Sequence, residues 1–134
     1  AYTWVYSDCE QTVGLLAETQ NYSRSEKDFP PVQGTWDYRG SRIWVNGEEI
    51  APPHWSNQTM EHDNELPLGN ENLAVREPIA VHLNQGWNSV LLKLPIGEFN
   101  TPEVRLVKWM FAATFTTPDG REAAKNIRYS VDKK

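Results

Sequence analysis

Apolar and polar residues alternate along this chain far more often than apolar residues recur every third or fourth position, and that period predicts half-buried strands rather than helices. From Thr12 to Glu18 the alternation places Val13, Leu15 and Ala17 on one face, and from Ser89 to Leu94 it does the same for Val90, Leu92 and Leu94. A longer stretch, Val104 to Thr116, gathers Val107, Trp109, Phe111, Ala113 and Phe115, and its length predicts the central strand. In Arg42 to Ile50, Asn46-Gly47 can take the positive φ angles of a two-residue turn. Closing the hairpin there sets Val45 opposite Glu48 and Ile43 opposite Ile50, which collects Ile43, Val45 and Ile50 on one face and turns Trp44 to the other. Thr117-Pro118-Asp119-Gly120 carries turn residues, after which Ile127-Arg128-Tyr129-Ser130 is expected to return beside the long strand. Only Glu122-Ala123-Ala124-Lys125 suggests a helical turn, so the expected class is all-β.

Two irregular stretches interrupt the strands. Thr19 to Tyr38 contains Pro30-Pro31, and Ala51 to Pro78 contains Pro52-Pro53 and Pro67. Proline removes a ladder donor and fixes φ, so both are expected to be loops, and long loops held on a rigid sheet are where binding usually resides.

With 134 residues, 39 % of them hydrophobic, the chain has material for one core, and residues 1–134 are expected to form a single domain. A net charge of −5 repels phosphate backbones and anionic head groups, which argues against a nucleic-acid or membrane-surface partner. The longest apolar run, Trp109 to Ala113, is far shorter than the ~20 residues that span a bilayer. Entry into Tyr2-Thr3-Trp4-Val5-Tyr6 without a leader segment suggests a piece of a longer chain, one that is expected to be monomeric by itself. The single cysteine, Cys9, has no internal disulfide partner and reads most simply as a small buried hydrophobe.

Several segments carry a family resemblance: Gly34-Thr35-Trp36-Asp37-Tyr38, Ile43-Trp44-Val45-Asn46-Gly47, Pro52-Pro53-His54-Trp55, Gly86-Trp87-Asn88-Ser89-Val90-Leu91-Leu92-Lys93-Leu94 and Trp109-Met110-Phe111. In order and spacing, over roughly Val13 to Tyr129, they resemble the galactose-binding-like modules attached to secreted bacterial glycoside hydrolases, above all those trailing the family 20 β-N-acetylhexosaminidases. The resemblance implies a jelly-roll β-sandwich, with Val45-Asn46-Gly47 opening one sheet and Gly86-Trp87-Asn88 leading into a strand of the other. It also implies an extracytoplasmic, bacterial location and a catalytic domain of the same parent chain as partner. Modules of this kind either bind glycans or brace the enzyme, and fold alone does not separate the two.

Family 20 enzymes use an adjacent Asp-Glu pair, and this chain contains no Asp-Glu dipeptide, so no catalytic residue is assigned and catalysis is expected to belong to the neighbour. Glu48-Glu49 falls in the hairpin, where successive side chains face opposite sides. His54, His62 and His82 lack the spacing of a zinc site, and no metal or cofactor is expected. Glu61, Asp63, Glu65 and Glu71 offer oxygens for a structural calcium ion, but without the ordered spacing of a calcium loop. No Gly-x-Ser-x-Gly elbow is present.

What remains is an aromatic-rich composition of six Trp, five Tyr and four Phe. Flat rings cover the C–H faces of sugars while nearby polar groups bond the hydroxyls. Trp36, Tyr38 and Trp55, in or beside the long loops and close in sequence to Arg24, His54 and Arg76, form the expected carbohydrate- or domain-contacting face. The competing reading packs these rings under their own loops. Trp4, Trp87 and Trp109 lie in strands or at strand starts, where core packing is favoured. The leading expectation is a non-catalytic module that supports or extends a hydrolase's substrate surface, followed by an autonomous carbohydrate-binding module and then a small enzyme. Coplanar exposed rings would favour glycan, and an apolar patch with a polar rim would favour docking.

Overall fold

The computed structural model describes residues 1–19, 32–37, 39–54, 78–96 and 111–132. Among them the chain forms eight strands and no helix: β1 (Tyr2–Ser7), β2 (Gln11–Glu18), β3 (Arg42–Val45), β4 (Glu48–Ile50), β5 (Ile79–Leu83), β6 (Gly86–Lys93), β7 (Ala112–Thr116) and β8 (Ile127–Ser130). All pairings are antiparallel, in a five-stranded sheet of order β4-β3-β6-β1-β8 and a three-stranded sheet of order β5-β2-β7.

The inner faces of both sheets feed one core, giving a β-sandwich. Val5, Ile43, Val45, Val90 and Leu92 come from the larger sheet, and Val13, Leu15, Val81, Leu83 and Phe115 from the smaller. The predicted faces of β2 and β6 are therefore those that pack inward, with Ala17 and Leu94 seated at the core's margin. The β3–β4 hairpin closes on Asn46 (φ 53°) and Gly47 (φ 81°) in the expected register, Val45 opposite Glu48 and Ile43 opposite Ile50.

Packing required one glycine that the sequence pattern did not single out. Gly14, buried in the middle strand of the smaller sheet, lies where a Cβ would come within 2.6 Å of Pro78 Cβ and 2.7 Å of both Thr116 Oγ1 and the Thr117 carbonyl. Only a residue without a side chain lets these segments approach so closely.

Four expectations are corrected. Of the stretch from Val104 to Thr116, only Ala112–Thr116 is strand among the described residues, and it is an edge of the smaller sheet, whose middle strand is β2. The turn at Thr117–Gly120 forms as expected, with the Gly120 amide donating to the Thr117 carbonyl at 2.8 Å. However, β8 then crosses to the other sheet and pairs with β1 rather than β7. Glu122–Lys125 makes no helix, and Ala123 instead forms an isolated bridge with Thr116. Finally, the Val45-Asn46-Gly47 and Gly86-Trp87-Asn88 segments belong to one sheet, because β6 pairs directly with β3.

Cys9 is also placed differently: it is exposed in the turn between β1 and β2. That turn is organised by polar groups, with Ser7 Oγ donating to the Cys9 carbonyl at 2.7 Å and Gln11 Nε2 donating to Ser7 Oγ at 2.8 Å. A short tight connection of this kind has no interior in which to bury a thiol.

Candidate functional site

Strand alternation gives β1 two faces of unequal character. Thr3, Val5 and Ser7 form one, Tyr2, Trp4 and Tyr6 the other, and it is the smaller set that turns inward, with Val5 and Ser7 fully buried. In β6 the inward set is Asn88, Val90 and Leu92, leaving Trp87, Ser89 and Leu91 outside. β3 buries Ile43 and Val45 and leaves Arg42 and Trp44 outside. The pairing register then assembles these residues into rows across the outer face of the larger sheet. Trp44, Leu91 and Tyr2 form one row, Ser89, Trp4 and Ser130 the next, and Trp87, Tyr6 and Arg128 the third.

The rings on this face meet edge to face. Tyr2 and Trp4 lie 5.4 Å apart at 83°, and Tyr6 and Trp87 lie 5.1 Å apart at 77°. Such pairs suit the ring quadrupoles and stabilise adjacent strands. Guanidinium groups cap two of the rings, Arg128 lying 3.9 Å from the Tyr6 centroid and Arg42 4.9 Å from that of Trp44. Each cap is tied to a carboxylate. Arg42 Nε donates to Glu49 Oε1 at 2.8 Å across the hairpin, and Arg128 Nη1 lies 3.6 Å from Asp8 Oδ1. The bond to Arg42 holds the Glu49 carboxyl below its ordinary value, and the same bond raises Arg42. The result is an aromatic centre, with Tyr2 and Leu91 48 % and 44 % exposed, rimmed by paired charges.

Comparison of the chain with family models, with curated proteins and with solved structures returns no match.

Of the six residues expected to form the functional face, the structure describes two. Trp36 is buried at 3 % exposure, which corrects the expectation of an open ring. Its indole Nε1 donates to the Ile50 carbonyl at 3.4 Å, and its own carbonyl accepts from Thr19 Oγ1 at 3.5 Å, so the ring belongs to the core beside the hairpin. His54 is exposed at the end of its described stretch. Arg24, Tyr38, Trp55 and Arg76 lie outside the described residues, as do His62 and the four acidic residues considered for calcium.

Trp4 and Trp87, expected in the core, are half-buried on the outer face instead. The signal for that face was present in Tyr2-Thr3-Trp4-Val5-Tyr6. Period two separates two faces without saying which is inner, and large rings suggest the wrong one: the buried residues of β1 are Val5 and Ser7. Among the described residues no three His, Cys, Asp or Glu side chains converge, and the carboxylates of the outer face are engaged with arginines.

Proposed function

We propose that this chain is a non-catalytic accessory module, of the jelly-roll, galactose-binding-like type, that docks against the catalytic domain of a secreted glycoside hydrolase through the outer face of its five-stranded sheet. The assignment to a hydrolase, specifically a β-N-acetylhexosaminidase, is supported by the resemblance of its motifs, and the choice of docking over glycan binding by the geometry of that face.

The observation that carries the choice is the pair of edge-to-face contacts, Tyr2 on Trp4 at 83° and Tyr6 on Trp87 at 77°. A glycan chain stacks on rings that present parallel open faces. Here the ring planes stand across one another, and arginines occupy the faces of Tyr6 and Trp44. Aromatic residues at the centre, with arginines and their carboxylate partners at the margin, are the composition of a protein interface.

Hydroxyl-radical footprinting tests the proposal. A family 20 catalytic domain added to the chain is expected to protect Tyr2, Trp44 and Trp87, while titration with N-acetylglucosamine oligosaccharides gives no saturable heat and chromogenic N-acetylhexosaminides are not turned over by the chain alone. Saturable glycan binding that is lost on Trp44→Ala, with no protection by the catalytic domain, overturns docking in favour of glycan recognition.

A further inference from the structure

The two sheets do not fill the whole of the space between them. Where β1, β6 and β8 face β2 and β7 there is a cavity of about 190 Å³. Leu15, Val90, Leu92 and Phe115, all buried, line it, while Phe111 and Tyr129 line it and are exposed, so it runs from the core to solvent. None of the described residues that line it carries a charged side chain, and the one charged group there, the Ala1 ammonium, donates to the Leu92 carbonyl at 2.8 Å.

We propose that this cavity is a binding site for one flat, uncharged ring, a site that opens between the sheets, shares only Tyr2 with the outer face and does not rest on the docking role. Size sets the first limit, because an apolar cavity of roughly 150 Å³ accommodates benzene, and about 190 Å³ therefore admits a ring with one or two small substituents. Chemistry sets the second. Apart from the Thr3 hydroxyl and the Ala1 ammonium, which already donate to the carbonyls of Ser130 at 3.1 Å and Leu92 at 2.8 Å, the walls are aliphatic and aromatic, so a charged group would lose its hydration on entry, whereas an apolar ring is drawn in by the water it leaves. Shape supplies the third, since Phe115 of β7 and Tyr129 of β8 stack nearly parallel from the two facing sheets, at 18° with centroids 6.4 Å apart, and both rings line the cavity. The Tyr129 hydroxyl accepts the Phe115 amide at 3.4 Å and keeps its own proton for an oxygen substituent on the ring. The ligand class is thus a simple arene or a phenol.

Thermal unfolding with p-cresol, toluene and benzoate tests the site. At tenfold excess over Kd, p-cresol and toluene are expected to raise Tm by roughly 3 to 6 °C, and benzoate is expected to leave it unchanged. Ala113→Leu, which extends a lining side chain into the cavity, removes the response to both. Tyr129→Phe weakens p-cresol roughly fivefold and spares toluene. Intermolecular NOEs from the toluene ring to the methyl groups of Leu15, Val90 and Leu92 locate the ligand even if the leucine variant does not fold. Absence of any Tm shift, a shift that survives Ala113→Leu, or NOEs confined to the outer face overturns the proposal.

Discussion

The side-chain amide of Asn46 donates to Asn88 Oδ1 at 2.7 Å, joining the β3–β4 turn to the start of β6. These are the asparagines of Val45-Asn46-Gly47 and Gly86-Trp87-Asn88, so two motifs about forty residues apart meet in one hydrogen-bond network. Asn46 Oδ1 accepts the Ser89 amide at 2.9 Å, and the Asn46 amide donates to the Ser89 carbonyl at 2.8 Å. Asn88, fully buried, accepts the Asn84 amide and donates to the carbonyls of Val5, Asn84 and Gly86.

Replacing Asn88 by alanine leaves those partners unmet inside the protein, and the expected loss is about 3 kcal/mol in urea unfolding. Asn46→Ala removes an exposed residue with fewer bonds but places alanine at φ 53°, so about 1 to 2 kcal/mol is expected. The double variant should be less destabilised than the sum, by about 1 kcal/mol, because the shared bond is lost only once. Strict additivity would show that the two asparagines act separately.

Gly14→Ala is expected to cost about 2 to 4 kcal/mol, since its Cβ collides with Pro78, Thr116 and the Thr117 carbonyl, two of those contacts being to the sheet partner and its turn. Gly86→Ala makes the opposite comparison. Nothing lies within 4 Å of its Cβ, and the cost of about 1 to 2 kcal/mol comes only from holding φ at 98°. Thermal denaturation of the two variants should rank them in that order.

Acid weakens two exposed contacts. Glu49 titrates below its ordinary value of 4.5 because Arg42 bonds its carboxylate, and Asp119 below 3.8 because the Thr117 hydroxyl, then the Arg121 amide, bonds it. A carboxyl whose folded pKa is lowered contributes in full above its unfolded value, and the contribution fades as pH falls through the folded one. The urea midpoint is therefore expected to drop between pH 5 and pH 2, and to drop less in Glu49→Gln. In an NMR titration of the carboxyl carbon, Arg42→Gln should return the Glu49 midpoint to the ordinary range.

Much of the strand layout was legible because local chemistry and period agreed. Asn46-Gly47 allowed one turn type, and Ile43, Val45, Leu92 and Val90 allowed one inner face. The reading failed where the deciding interaction is remote. Ile127–Ser130 is too short to announce a partner, and its place beside β1 follows from pairs such as Val5 with Tyr129 rather than from anything in its own residues. The inner face of β1 was illegible for a related reason: Tyr2, Trp4 and Tyr6 are the stronger hydrophobic set, yet it is Val5 and Ser7 that are buried. Among the rings of the expected site, Trp36 posed the same problem and proves to be a core residue.

That reversal separates two tryptophans by experiment. Trp36 is buried among residues of the shared core and bonds the Ile50 carbonyl, so Trp36→Ala is expected to cost about 3 to 5 kcal/mol with or without a partner present. Trp44 lies on the outer face with Arg42 over its ring, and its neighbour across the hairpin is Glu49, so its removal forfeits only part of its packing and one cation–π contact, roughly 1 kcal/mol. If the outer face docks a catalytic domain, Trp44→Ala should nonetheless weaken that association at least tenfold, because a truncated aromatic at the centre of an interface costs 2 kcal/mol or more, a typical figure of about that size. Calorimetry of the complex alongside urea unfolding of the free chain reads both quantities. A Trp44→Ala variant that loses several kcal/mol of stability and no affinity would make the aromatic face a structural element of the sheet rather than the contact surface.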